Sequence, residues 1–333
     1  MPALYVTSAE KGSGKTAICA GLGKQLFTKG KKLGFFKPVT STAGSTATGD
    51  TDAQFMKEFL FLSEPTDLLR PVISSNNNLS AGIKEAYAKV AQGKDIVIIE
   101  GSSEQYPAAH QIAAALSAKV VIVEAYSNEL LKSADSYKRF GQSLLGVVLN
   151  KVPKTRMEQA QTEAAGKLAK AGVNLLGVLP EDRSLIALTV GELAESIQGE
   201  ILNDANQSSE LVENIMLGAL GLDPGPDYFG RKDNKAVILK SERPDLALAA
   251  LQTSSRCLVL AGSAKPDPMV LNTAKDKNTP VIIAKDNVPA TVAKIEDALV
   301  KTRFNQLKKL PRLVEIMEQH LNTQKLYQGI GVG

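Results

Sequence analysis

The segment 9-AEKGSGKT-16 constrains this chain more than any other. It leaves a short apolar run, 3-ALYVT-7, and enters a stretch with helical periodicity, 16-TAICAGLGKQLFTKG-30. It matches the pattern G-x-x-x-x-G-K-[ST], except that Ala9 stands where the first glycine would be. A loop placed between strand and helix aims successive backbone N–H groups at phosphate oxygens, and the helix start adds partial positive charge. Lys11, Gly12, Ser13, Gly14, Lys15, Thr16 and Ala17 form this cradle. In such a loop the lysine, here Lys15, reaches the β/γ-phosphates, and the hydroxyl of Thr16 binds Mg²⁺. Gly12 and Gly14 permit positive φ and close approach. The competing reading is an ordinary glycine-rich turn, but the strand–loop–helix context favours phosphate binding.

The rest of the first 200 residues continues the alternation. Near-continuous apolar runs at 33-LGFF-36, 95-DIVIIE-100, 119-KVVIVE-124, 144-LLGVVLN-150 and 174-NLLGVL-179 suit strands buried on both faces of a parallel sheet. Helical stretches between them, such as 155-TRMEQAQTEAAGKLAKAG-172, end at glycine. The pattern predicts an α/β, doubly wound, mostly parallel sheet over 1–198. A stretch rich in Gly, Pro and Asp, 221-GLDPGPDYFGRKDN-234, predicts a linker over 199–234. Alternation restarts with strands 235-KAVILK-240, 256-RCLVLAG-262 and 280-PVIIAK-285. Helices 244-PDLALAALQT-253, 267-DPMVLNTAKDK-277 and 289-PATVAKIEDALVK-301 carry Pro in the first turn. This predicts a second, smaller α/β domain over 235–303, with a start as early as about 205. Residues 304–321 read as helix interrupted or entered at Pro311, and 329-GIGVG-333 as a loose tail.

Composition excludes several function classes. The 333 residues carry 39 basic and 35 acidic side chains, and each half of the chain holds an excess of only two, so no nucleic-acid footprint is expected. Residues 1–50 hold seven basic and two acidic residues, a local excess that fits an anion site. No apolar run approaches the about 20 residues of a membrane span. The start, MPALYVT, has no basic region or cleavage site, which predicts no secretory signal. Cys19 and Cys257 lie far apart without metal or disulfide spacing, as in a reducing cytoplasm.

The stretch 4-LYVTSAEKGSGKTAICAGLGKQL-26, continuing to 33-LGFFKPV-39, resembles the dethiobiotin synthetase-like branch of P-loop ATPases. The resemblance extends through 50-DTDAQFM-56, 98-IIEG-101, 147-VVLNKVP-153 and 177-GVLPEDRSL-185, roughly over residues 2–198. The second domain, with 215-IMLGAL-220 and 242-ERPDLALAAL-251, resembles the DRTGG domain. In that family the pair forms the N-terminal part of some phosphotransacetylases or stands alone; a phosphotransacetylase catalytic domain is not in the sequence. The resemblance implies ATP and Mg²⁺ as cofactors. It puts Asp52, with Asp50 as an alternative, and Glu100 on the metal beside Thr16. It gives Lys15 and Lys37 the catalytic roles, Lys37 contacting both an acceptor and the γ-phosphate. Asn150 and Lys151 fall where the family contacts adenine, and Pro180 and Glu181 in a second base-lining loop. A homodimer is a family-level implication. The residues alone also allow a helix N-cap at Asp50 or Asp52, a solvent-facing Lys37 and plain turn chemistry at 180–181.

The departures shape the functional expectation. Related partition-type ATPases place a signature lysine where this chain has Glu10, with Lys11 one residue later, so a dimer-sandwich switch is not expected. Dethiobiotin synthetases follow the metal glutamate with E-G-x-G-G, whereas this chain reads 100-EGSSEQY-106, so it is not expected to make dethiobiotin. His110 and His320 are alone; Ser8, Ser102 and Ser103 lack G-x-S-x-G context. The DRTGG namesake motif is degenerate at 241-SERPD-245, where Arg243 is expected to be a salt-bridged helix-start residue. The sequence therefore points to a nucleotide-responsive regulatory module, with an ATP-dependent enzyme phosphorylating a carboxylate or carbamate as the alternative. A purely structural protein would need an empty phosphate loop.

Overall fold

The computed structural model describes residues 2–41, 51–74, 79–127, 131, 134–218, 225–262 and 264–332. They form two compact units: 1–181 together with 304–333, and 182–303.

The first unit begins with β1 (Ala3–Thr7), α1 (Lys15–Thr28), β2 (Leu33–Phe36) and β3 (Val39–Ser41). It continues with α2 (Thr51–Phe59), α3 (Thr66–Leu69), β4 (Val72–Ser74), α4 (Leu79–Ala91) and β5 (Ile96–Glu100). Then come α5 (Ala109–Ala115), β6 (Lys119–Ala125), β7 (Leu144–Val152), α6 (Met157–Lys170) and β8 (Leu175–Pro180). Six of these strands make one parallel sheet in the order β2-β5-β1-β6-β7-β8. β1, β2 and β5 are buried along their whole length, as their unbroken apolar runs require. The order matters for chemistry. β5 lies between β1 and β2, with Val6 opposite Glu100 and Phe36 opposite Ile99. The loop after β1, the carboxylate ending β5 and Lys37 after β2 thus leave the sheet at one edge. β3 and β4 form a separate two-stranded parallel pair that the sequence reading did not contain.

The C-terminal residues return to this unit. α12 (Leu310–His320), entered at Pro311, and α13 (Thr323–Gly329) follow. α12 lies against α1 where Gly21 leaves no room for a Cβ beside Met317. The chain then bridges the edge strand β8: Gly177 pairs with Leu321, and Asn322 N donates to Leu176 O at 2.7 Å. The expected loose tail is not loose as far as Val332. Ile330 and Val332 are buried, and Val332 N donates to Tyr327 O at 3.0 Å, because two apolar side chains there gain more from burial than from water.

The second unit comprises β9 (Leu188–Thr189), α7 (Val190–Ser196), β10 (Glu200–Ile201), β11 (Leu211–Val212), β12 (Asn214–Gly218) and α8 (Pro226–Phe229). β13 (Lys235–Lys240), α9 (Pro244–Leu251), β14 (Ser255–Ala261), α10 (Pro268–Asp276), β15 (Val281–Ala284) and α11 (Val288–Lys301) complete it. Its sheet runs β10-β15-β14-β13-β12, parallel except for β10. One apolar cluster joins Phe229, Leu246, Ala250, Val270 and Ala274 to Val237, Leu239, Leu258 and Leu260. A second joins Val190, Leu193, Ile197 and Ile295 to Ile238, Val259 and Ile282, so helices cover both sheet faces. The stretch 199–234, expected as a linker, supplies β10, β11, β12 and α8 to this unit. Residues 182–198, expected with the first domain, also belong here, since β9 pairs with β11.

Candidate functional site

The loop from Ser8 to Gly14 carries its backbone in the form that the glycines allow. Gly12 has φ of 76° and Gly14 of 99°, both in the region that suits glycine. Glu10 N donates to the Ser8 hydroxyl at 3.0 Å. Gly14 is the N-cap of α1, and no side chain caps that helix. The first-turn N–H groups are therefore left for another acceptor. Gly14 has a second requirement: a Cβ there would run into the side-chain amide of Asn150, which donates to Ser13 O at 2.9 Å and braces the loop.

Four side chains converge beside this loop. Lys37 Nζ lies 2.6 Å from Asp52 Oδ2 and 3.3 Å from Glu100 Oε1. The Thr16 hydroxyl donates to the same Glu100 oxygen at 2.8 Å. Lys37, Asp52 and Glu100 are 9%, 8% and 3% exposed, so their charges act with little screening. Burial raises Glu100 above the ordinary carboxylate range, and the nearby Lys37 pulls it back. Lys15 is also buried; its ammonium donates to Glu10 O at 3.0 Å, and burial holds it below the ordinary lysine range. The sequence-predicted residues Lys15, Thr16, Lys37, Asp52 and Glu100 are thus one constellation. Asp50 lies outside the described residues.

The donor set fits a divalent ion. Two carboxylates and a hydroxyl are oxygen ligands, and the second Glu100 oxygen, Oε2, is buried without a partner among the described residues. Among those residues no group of three or more His, Cys, Asp and Glu side chains is placed to hold a metal ion. Mg²⁺ commonly takes one or two carboxylates and completes its shell with phosphate and water.

Residues 2–189, more than half of the chain, match the AAA domain family AAA_26. The chain belongs to that family. Residues 192–298 match the DRTGG domain, so the protein carries a dethiobiotin synthetase-like P-loop domain followed by a DRTGG domain. A phosphate acetyltransferase of Nitrosomonas europaea is 23% identical over 369 residues, covering 99% of this chain and 52% of its own length. An ATP-dependent dethiobiotin synthetase of Caldicellulosiruptor saccharolyticus is 27% identical over 181 residues, covering 45% of this chain and 74% of its own. The chain spans about half the length of the phosphate acetyltransferases it matches. Among solved structures, a chain of the MinC:MinD cell division protein complex of Aquifex aeolicus matches at 17% identity and TM-score 0.40, over 56% of this chain and 84% of that one. The CBS and DRTGG domains of the Clostridium perfringens pyrophosphatase regulatory region match at 12% identity and TM-score 0.32, over 49% and 79%.

The residues expected around a base lie at the ends of β7 and β8 in this AAA-family domain. Val152 pairs with Pro180, and Glu181 N donates to Val152 O at 2.8 Å, so Asn150–Lys151 and Pro180–Glu181 are neighbouring segments. Lys151 is exposed, with φ of 59° at an irregularity in β7. Lys11 and Gly12 are exposed; Ser13 is buried with its hydroxyl unpartnered among the described residues. In the second unit Arg243 grips Asp245 with Nε at 2.9 Å and a terminal nitrogen at 2.7 Å, as expected of a helix-start ion pair. Both cysteines are free and buried, and no described helix is long and apolar enough to cross a membrane.

Sequence reasoning missed Glu124. It lies near the end of β6, accepts from the Tyr137 hydroxyl at 2.7 Å, and feels the charges of Glu10 and Lys15. The signal was available: like Glu100, it closes an apolar run, 119-KVVIVE-124.

Proposed function

We propose that this chain binds ATP with Mg²⁺ in its P-loop domain and acts as a nucleotide-responsive regulatory module related to the N-terminal part of phosphotransacetylases. The convergence of Thr16, Lys37, Asp52 and Glu100 within 2.6–3.3 Å contacts beside an uncapped helix start carries this reading. The α1 N-terminus and the loop amides hold phosphate oxygens. Lys15 faces the β/γ-phosphates and Lys37 the terminal one. Thr16, Asp52 and Glu100 hold the Mg²⁺, which neutralises charge on the phosphates when bound. Asn150–Lys151 and Pro180–Glu181 flank the base. The regulatory role draws on two features: 100-EGSSEQY-106 replaces a glycine nest, and the chain couples the P-loop domain to a DRTGG domain. A ligand shifts an equilibrium only if it favours one arrangement, so ATP has to be bound more tightly by one conformation of the chain.

One observation favours a second reading, an enzyme that phosphorylates a carboxylate or carbamate. Gln105, in the segment after Glu100, is 3% exposed, and neither amide atom has a partner among the described residues. A polar acceptor would satisfy them, and Lys37 would then stabilise the transferring phosphoryl group.

Calorimetry with ATP and Mg²⁺ tests the shared core. Lys15→Ala is expected to weaken binding by about 2–4 kcal/mol, since it removes a buried charge facing phosphate. Unchanged affinity overturns the phosphate-loop assignment. Asp52→Asn and Glu100→Gln are expected to reduce the Mg²⁺ dependence more than binding of nucleotide alone. Phosphate release against a panel of carboxylates and amines separates the two roles. Release at background, with an ATP-dependent change in hydrogen exchange across 199–235, supports the module. Acceptor-dependent release lost in Lys37→Ala supports the enzyme.

A further inference from the structure

We infer that Lys37 is a resident counter-ion of the metal seat: its ammonium and a divalent cation compete for the same oxygens of Asp52 and Glu100, so the metal enters well only together with a polyphosphate that takes Lys37 over. The inference rests on the ATP·Mg²⁺ reading and gives that site an order of assembly.

The geometry supplies the competition. Lys37 Nζ is 2.6 Å from Asp52 Oδ2 and 3.3 Å from Glu100 Oε1. Thr16 donates to that same Glu100 Oε1 at 2.8 Å. Asp52 Oδ2 and Glu100 Oε1 are therefore already engaged by a cation, and Glu100 Oε1 also by a hydroxyl proton, while Glu100 Oε2 has no partner among the described residues. A metal reaching Thr16 takes a lone pair of the hydroxyl oxygen, whose proton can stay on Glu100. It needs Lys37 gone from between the carboxylates, because two cations a few ångströms apart repel strongly where water is excluded.

Burial supplies the coupling. Lys37 is 9% exposed, and a buried ammonium displaced from its carboxylates is costly unless another anion receives it. A terminal phosphate provides that anion. Charge points the same way. Lys15 and Lys37 balance Asp52 and Glu100, so the four groups are neutral together. A divalent ion alone leaves the site positive, and a polyphosphate alone leaves it strongly negative. Each offsets the other's excess. Metal and polyphosphate are thus positively coupled, and the coupling is reciprocal.

The test uses the full chain and Mn²⁺ as the probe, titrated without nucleotide and followed by electron paramagnetic resonance. Four proteins are compared: wild type, Lys37→Gln, Lys37→Arg and the double variant Lys37→Gln/Asp52→Asn, each checked for native near-ultraviolet circular dichroism. Glutamine keeps a donor for Asp52 but removes the charge. Wild type is expected to bind Mn²⁺ weakly, Lys37→Gln at least about tenfold more tightly, and the double variant weakly again. Lys37→Arg is expected to remain like wild type, because it restores the cation. A gain in both Gln and Arg variants marks mere loosening and overturns the inference; so does no gain in Lys37→Gln. Wild type answers independently of any variant's folding: tight binding of Mn²⁺ without an anion also overturns it. Failure here while Lys15-dependent Mg·ATP binding persists leaves the nucleotide reading standing. Loss of Mg·ATP binding in wild type removes that reading, while the Mn²⁺ competition is decided on its own.

Discussion

The two units are built alike, and α1 of the first finishes its helix start differently from the capped helices of the second. Each has a mostly parallel sheet with helices, and in each the helices begin after the carboxyl ends of strands. In the second unit side chains close the N-termini of α7, α10 and α11. Thr189 and Glu192 form a capping box on α7. Asp267 accepts from Met269 N on α10, and Asn287 from Ala290 N on α11. α8 and α9 have no side-chain cap and start at Pro226 and Pro244, where proline removes one of the N–H groups that would need a partner. In the first unit α1 starts behind Gly14 with no side-chain cap and no acidic residue in its first turn. A helix start left open above buried charges is a place for a ligand; one closed by Asp, Asn or Thr is a structural joint. The same architecture serves both, and the site is set by a few residues at one sheet edge.

Buried lysines repeat the contrast. Lys37 meets two carboxylates, whereas Lys235 is fully buried and donates to the Thr253 hydroxyl and Ser254 O, each at 2.9 Å. Methionine at each position keeps the volume and removes the charge. Lys37→Met takes the ammonium away from two buried carboxylates and is expected to cost about 3–5 kcal/mol near neutral pH. Lys235→Met leaves neutral acceptors, one of which, the Thr253 hydroxyl, still donates to Ala250 O, and is expected to cost about 1 kcal/mol. Urea melts of the two variants check this, and equal costs would dissolve the distinction between a site lysine and a structural one.

Helix capping gives a smaller effect. Asp267→Ala removes the acceptor for Met269 N, 2.7 Å away, and is expected to cost about 1 kcal/mol in a thermal or urea melt, with Mg·ATP affinity unchanged. A loss of nucleotide affinity in that variant would mean that the capped helices of the second unit are part of the site after all.

What could be read from the sequence follows the range of the interactions. The phosphate loop is local: a strand, two glycines and a helix start within a few residues, and all of it is present. Lys37, Asp52 and Glu100 were named individually by resemblance, but their meeting depends on β5 lying between β1 and β2, a non-local fact. The extent of the second unit shows the same limit. The capping box on α7 is visible in TVGE at 189–192, yet its attachment rests on β9 pairing with β11 and on Leu193 and Ile197 packing near Ile238 and Ile282. The return of the C-terminus is likewise non-local, since Leu321 finds Gly177 across most of a domain. Glu124 was overlooked for another reason. No motif encloses it, and a carboxylate after an apolar run is as often a solvent-facing strand end.

Two carboxylates carry the comparison into pH, where the expected effect is smallest. Burial raises Glu124 above the ordinary carboxylate range, with the Tyr137 hydroxyl pulling it back. The Arg243 hydrogen bonds hold Asp245, on the second unit, below its ordinary range. The signs are opposite. Between the unfolded and folded values, folded Glu124 holds a proton that the unfolded chain has released, so its contribution is fully present below the unfolded value and is lost as pH rises through the folded one. Asp245 contributes above its unfolded value and loses that contribution as pH falls through the folded one. Each slope is bounded by one proton, about 1.4 kcal/mol per pH unit, and exposure makes the Asp245 share the lesser. Urea melts between neutral pH and the acid range are expected to show Glu124→Gln flattening the gain on acidification. Asp245→Asn is expected to flatten a loss at lower pH. If Glu124→Gln leaves the profile unchanged, the carboxylate beside the phosphate loop is no more perturbed than one in water, and the electrostatic distinction between the units rests on Lys15, Lys37, Asp52 and Glu100 alone.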